Sequence, residues 1–203
     1  MLSIAFATRT NLRVASRLPA WSQQARISTA ELALLLACGA LAAVAVGMLQ
    51  MRIALPGHAI LRAVIPMALG LAMVPRRSAG TVMSCGAAMT ALAMQAVSVG
   101  NFQPAALLGV LALGPVLDAV LVGRPTGWRL YARFSAGGAL ANLAAFAVRF
   151  GIAWLGWEPA HSRGIAPFWS MALVSFLLCG LVAGLVSAAF WFRLRANDDL
   201  RRP

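Results

Sequence analysis

The sequence predicts an all-α fold: an integral membrane bundle of six transmembrane helices with its N- and C-termini in the cytoplasm. Six apolar stretches fill the chain from about Thr29 to Phe192, and a hydrocarbon core of about 30 Å needs about 20 apolar residues of helix. Of the 203 residues, 61% are hydrophobic and 11% charged, with a mean hydropathy of +0.82; a soluble domain of this length would expose large apolar patches. Backbone groups in lipid must bond within their own segment, and the alternation of a membrane β-barrel is nowhere visible, so the spans are helices. The domain organisation is an Arg-rich segment over 1–28, a membrane domain over 29–192 and a charged cytoplasmic tail over 193–203.

Arginines supply the orientation. With the N-terminus inside, Arg9, Arg13, Arg17, Arg26, Arg76, Arg77, Arg124, Arg129, Arg133, Arg193, Arg195, Arg201 and Arg202 fall on the cytoplasmic side, 13 of 17. Arg52, Arg62, Arg149 and Arg163 fall in outer loops or the outer parts of helices, which by the positive-inside rule puts both termini in the cytoplasm. The net charge of +12 would suggest nucleic acid in a soluble protein. Here it sits at helix ends and reads as topology signal and contact with anionic lipid, with no nucleic-acid partner.

Each element has its own signals. Residues 1–28 combine four arginines with Ser and Thr and no acid before Glu31, which fits an organellar transit peptide, an interfacial amphipathic helix or an overlong start. The first span, Ala30–Gln50, opens on Ser28-Thr29-Ala30-Glu31, the spacing of a capping box. Gly39, Ala43 and Gly47 recur on it every fourth residue, a flat face for packing inside the bundle or for docking a partner membrane subunit.

The second span, Ala59–Val74, follows a Pro56-Gly57 turn that delivers His58 and then Arg62 at its outer start. A short or interrupted membrane segment often lines a cavity or water, which singles this span out for function. His58 reads as a metal ligand, a pH sensor, a donor to a substrate or a plain interfacial turn residue. Arg62 sits in the first turn of its span, and Arg149 about two turns inside the outer end of the fifth. A guanidinium there snorkels outward or points into a pocket and binds an anionic group.

The third and fourth spans are Ala79–Gly100 and Pro104–Val122. Within the fourth, Pro115 loosens the helix one turn before Asp118, an acid that reads as a salt bridge to Arg76, Arg77, Arg124 or Arg129, or as a proton or ion coupler. The fifth span, Leu130–Leu155, and the sixth, Pro167–Phe192, carry Asn142 and the Gly180/Gly184 spacing of helix packing. Asn101, Gln103, Asn142, Glu158 and His161 are polar groups of the same outer half. Trp154, Trp157, Phe168 and Trp169 cluster there as an interfacial belt or as a stacking site. Cys38, Cys85 and Cys179 are dispersed within spans, which argues for small packing residues rather than disulfides or a zinc site.

Leu55-Pro56-Gly57-His58-Ala59, Ile65–Ala72 and Leu107–Asp118 with Leu113-Gly114-Pro115 resemble the substrate-binding membrane (S) components of energy-coupling factor (ECF) transporters, nearest to the cobalt/nickel-type component. The resemblance implies a six-helix protein that captures a vitamin or metal ion from outside and docks on a membrane coupling protein driven by two cytoplasmic ATPase subunits. Gly39, Ala43 and Gly47 would then correspond to a docking surface, and Gly57-His58 to the metal-type Gly-His. One histidine without a second nitrogen or thiolate nearby makes a poor divalent-metal site, and paired arginines fit an anionic small molecule better.

The function expected is therefore substrate capture in the bacterial cytoplasmic membrane, through His58, Arg62, Asn101, Asn142, Arg149 and Trp154, with no cofactor and with energy from partner subunits. The chain has no lysine, hence no Walker A motif, and shows no Ser/His pair, paired Asp or HExxH, so no enzyme is expected. The competing class is a noncatalytic membrane subunit that assembles or stabilises a larger complex.

Overall fold

The computed structural model describes residues 27–49, 57–99, 104–122, 128–156 and 168–199, with the side chains of 104–106 and 192–199 left aside. Six α-helices make up the fold: α1 Thr29–Met48, α2 Ala59–Met73, α3 Ala79–Ala96, α4 Pro104–Val120, α5 Trp128–Trp154 and α6 Trp169–Asp199. No strand occurs among the described residues. Three of these helices are long and apolar enough to cross a membrane: α1, α5 and Trp169–Trp191 of α6, with mean hydropathies of 2.1, 1.4 and 2.4. The sixth helix does not stop at the membrane boundary expected near Phe192 but runs on through the charged segment to Asp199.

Around the bundle each helix packs on its neighbours in the order α2, α1, α3, α4, α5, α6 and back to α2. α2 also touches α3, α4 and α5, so the shortest of the six leans into the middle. Its composition explains the position: Ile60, Ala63, Val64, Met67, Ala68 and Leu71 are all buried, which leaves it little free surface. Leu35, Met67, Leu71, Met83, Leu113, Leu117 and Phe134 form the centre of the core, and they come from five helices. A smaller cluster of Ala145, Phe146, Ala172 and Phe176 joins α5 to α6.

Chain direction alternates, giving the bundle two distinct ends. At the lower end α1 starts, capped as its sequence predicts: the Glu31 N–H donates to Ser28 Oγ at 3.2 Å and the Ser28 N–H to Glu31 Oε2 at 3.0 Å. Glu31 also pairs there with Arg76, which follows the end of α2, at 2.9 Å.

Small residues set the helix separations. A Cβ on Gly39 would overlap the Met83 carbonyl oxygen of α3, and Ala43 and Gly47 are buried as well. At Gly39 the stripe expected to offer a docking face is therefore covered from within the chain by the α3 backbone, and its other two positions are buried in the bundle. Gly180 and Gly184 do the same for α6: a Cβ on Gly184 would overlap the Phe134 carbonyl oxygen, and Ser135 Oγ donates across the crossing to the Leu181 carbonyl at 2.9 Å.

The outer surface is apolar. Met171, Val174, Leu178, Val182, Leu185 and Phe190 of α6 are exposed, as are Leu41 of α1 and Met89 of α3. Such a surface suits lipid tails rather than water. Cys38 is buried, but Cys85 is exposed on this surface instead of packing inside, since position 85 turns away from the α1 and α4 contacts of Ser84 and Gly86.

Candidate functional site

The upper end holds Gly57, His58, Arg62, Asn142, Arg149 and Trp154, and α2 begins there below the outer ends of α5 and α6. Gly57 sits beside Asn142 and Phe176: the Asn142 side-chain amide donates to the Gly57 carbonyl at 3.2 Å and to the Phe176 carbonyl at 2.6 Å. Beyond that level α5 continues another 12 residues to Trp154, about 18 Å of helix. The head of α2 is thus recessed relative to α5 and α6, while α1 ends at Met48, two residues beyond the carbonyl that Arg62 meets.

The turn has a physical reason. Gly57 adopts φ +86, which favours glycine, and a Cβ there would stand 2.9 Å from the Phe176 ring and 3.0 Å from the Asn142 amide nitrogen. Asn142 is buried, and one amide group holds three elements together: the turn, α5 and α6. Asn142→Ala would leave both carbonyls without that donor, and a loss of about 2 kcal/mol is expected on thermal unfolding in mild detergent.

His58 ends the turn with helical backbone angles, one position before α2. Arg62 follows four residues later, on the same face of the helix. Its Nη1 donates to the Val46 carbonyl at 3.2 Å, in the last turn of α1. The guanidinium therefore caps a helix C-terminus, where a cation is favoured. Its Nε is buried with no hydrogen-bond partner among the described residues.

Five residues along a helix turn the chain by about 140°, so Gly57 and Arg62 face different neighbours. Gly57 meets α5 and α6, whereas Arg62 reaches α1. Asn142 and Arg62 thus grip opposite sides of the head of α2 rather than one pocket wall. Arg149 lies seven residues beyond Asn142 on the same stripe of α5, about 10 Å higher, and is half-buried. Trp154 is 80% exposed at the end of α5, and Phe168 and Trp169 are exposed at the start of α6. With exposed Trp128 at the opposite end of α5, about 39 Å away, these rings fit a pair of interfacial belts better than a stacking site. Asn101, Gln103, Trp157, Glu158 and His161 lie outside the described residues.

At the lower end, Asp118 forms no salt bridge among the described residues. Its Oδ1 accepts from the Gly80 N–H at 2.9 Å, and its Oδ2 from the Thr81 N–H at 2.8 Å and the Thr81 hydroxyl at 2.7 Å. The carboxylate caps the N-terminus of α3, whose unpaired amides and positive dipole end compete well with an exposed arginine. Arg133 of α5 likewise donates to the carbonyls of Val120 and Val122 at the end of α4.

Ser84 was not singled out by sequence. Its hydroxyl accepts from the Gly114 N–H and donates to the Val110 carbonyl, both at 2.9 Å, bridging one rung of the α4 ladder just before Pro115. A shallow apolar groove of about 440 Å³ runs along Ser170, Met171, Val174, Ser175, Leu178 and Cys179 of α6. Among the described residues no cluster of three His, Cys, Asp or Glu side chains is placed to hold a metal ion.

No family model, curated protein or solved structure matches the chain.

Proposed function

We propose that this chain is a six-span membrane protein with cytoplasmic termini that captures a small anionic, vitamin-like molecule at the outer head of α2, as the substrate-binding component of a transporter energised by partner subunits. Arg62 carries this reading. A guanidinium inside a membrane segment costs a few kcal/mol unless compensated, and its partner here is a neutral carbonyl while Nε has none. The two acids whose side chains are described are engaged elsewhere, Glu31 with Arg76 and Asp118 with α3. An anion from outside would supply the missing charge.

The recess supports the same reading. α2 has 15 residues, about 22 Å, too short for the hydrocarbon core unless its head is shielded by taller neighbours, as α5 and α6 allow. Residues of short, broken membrane segments are tolerated where they line a cavity, and such places bind substrate. The ECF-type resemblance of the Gly57-His58 stretch points the same way, and it assigns coupling and ATPase subunits as partners.

A second reading has its own observation. Asn142, Asp118, Arg62 and Arg133 all satisfy backbone groups of neighbouring helices, which is what a noncatalytic assembly subunit needs from its polar residues. A thermal-stability screen of the purified full chain against organic anions, neutral vitamins and divalent metals separates the two. Capture predicts stabilisation by anions, weakened in Arg62→Lys; a bare assembly subunit responds to none.

A further inference from the structure

We infer that the ligand group held by Arg62 is a monocarboxylate, bound side-on by the Nε–Nη2 edge of the guanidinium; this rests on the capture reading above.

A guanidinium offers five N–H donors in a planar fork, and two of its edges match the two oxygens of a carboxylate. One edge is already compromised, because Nη1 donates to the Val46 carbonyl at 3.2 Å. What is left is the edge formed by Nη2 and Nε, and Nε is the buried donor that has no partner. An unsatisfied buried donor is costly, so a ligand that supplies two coplanar acceptors gains both hydrogen bonds and removes that cost.

Charge selects among oxyanions. On this side of α2 the described residues present one guanidinium, since Arg149 lies on the stripe of α5 that meets Gly57, across the helix from Arg62. A carboxylate carries one negative charge and is neutralised by it, whereas a phosphate dianion would leave charge uncompensated in a low-dielectric site. His58 lies one turn above Arg62 on the same helix face. Because Nε is shielded, entry needs a local side-chain movement, and association is expected to be slower than diffusion allows.

The test uses the full chain in phosphatidylcholine nanodiscs, with acetate and benzoate as probes, benzamide as the uncharged isostere, and benzenesulfonate and inorganic phosphate as other oxyanions. Benzoate at ten times its Kd is expected to raise Tm by about 3 °C. Benzamide should leave Tm unchanged. Arg62→Lys, which keeps the charge but lacks the fork, should weaken benzoate at least tenfold; if that variant fails to fold, the benzoate and benzamide pair on the parent chain still decides. Equal stabilisation by benzoate and benzamide, or undiminished binding by Arg62→Lys, overturns the carboxylate assignment. Stabilisation by benzenesulfonate, phosphate or added phosphatidylglycerol with acetate and benzoate both silent also overturns it, while anion capture stands. Silence across every anion removes both.

Discussion

Gly114→Ala is expected to lower the stability of the bundle by about 3 kcal/mol, which for a chain of this size is a fall in Tm of about 6 to 12 °C. The added Cβ would overlap the Gly80 carbonyl oxygen and the Ser84 hydroxyl, so α3 and α4 would have to separate. Backbone cannot move aside as a flexible side chain can. Separation also pulls Ser84 from the Val110 and Gly114 groups it bridges, and Pro115 supplies no N–H to repair the next rung. Thermal unfolding in mild detergent reads the effect. An alanine variant within 1 °C of the parent would mean that the α3–α4 crossing is looser than described.

Asp118→Ala is the second large effect, about 3 kcal/mol. It deprives the Gly80 and Thr81 amides and the Thr81 hydroxyl of their acceptor at a buried helix N-terminus. Asp118→Asn keeps the volume and one oxygen but turns an amide N–H toward a backbone N–H, so partial loss is expected. Thr81→Val removes one bond of the three and should cost about 1 kcal/mol. Amide hydrogen exchange at Gly80 and Thr81 gives an independent readout: both should exchange faster in Asp118→Ala, while amides in the middle of α5 stay protected. Equal protection at all positions would argue that water or another group replaces the carboxylate.

Helices were legible in the sequence because length and apolarity are local properties. All six lie where the apolar stretches predict, and the Ser28 to Glu31 box starts α1 as its spacing says. Partners across the bundle were not. Asp118 looked like one half of a salt bridge because arginines crowd that end in sequence, yet the amides of α3 are brought to it by a contact 38 residues away. The Gly39, Ala43 and Gly47 stripe announced a close approach without saying to what, and at Gly39 it is to the α3 backbone. Ser84 gave no signal, since a lone serine in a small-residue helix marks a ladder bridge only when Gly114 and Val110 face it. Of the site, the turn and its glycine could be read; the opposite facing of Asn142 and Arg62 could not, because it follows from which neighbours α2 acquires.

The central claim is an outward-facing head of α2 that takes up an anion, and labelling at position 58 tests it most directly. In a chain with Cys38, Cys85 and Cys179 replaced by alanine, His58→Cys is exposed in intact cells to a membrane-impermeant maleimide, with and without benzoate. The account predicts labelling from outside, slowed several-fold by benzoate and unaffected by benzamide, while Arg77→Cys in the same background is labelled only after lysis. Labelling of position 58 only after lysis would contradict the orientation, and labelling from outside at one rate with every addition would contradict the anion site.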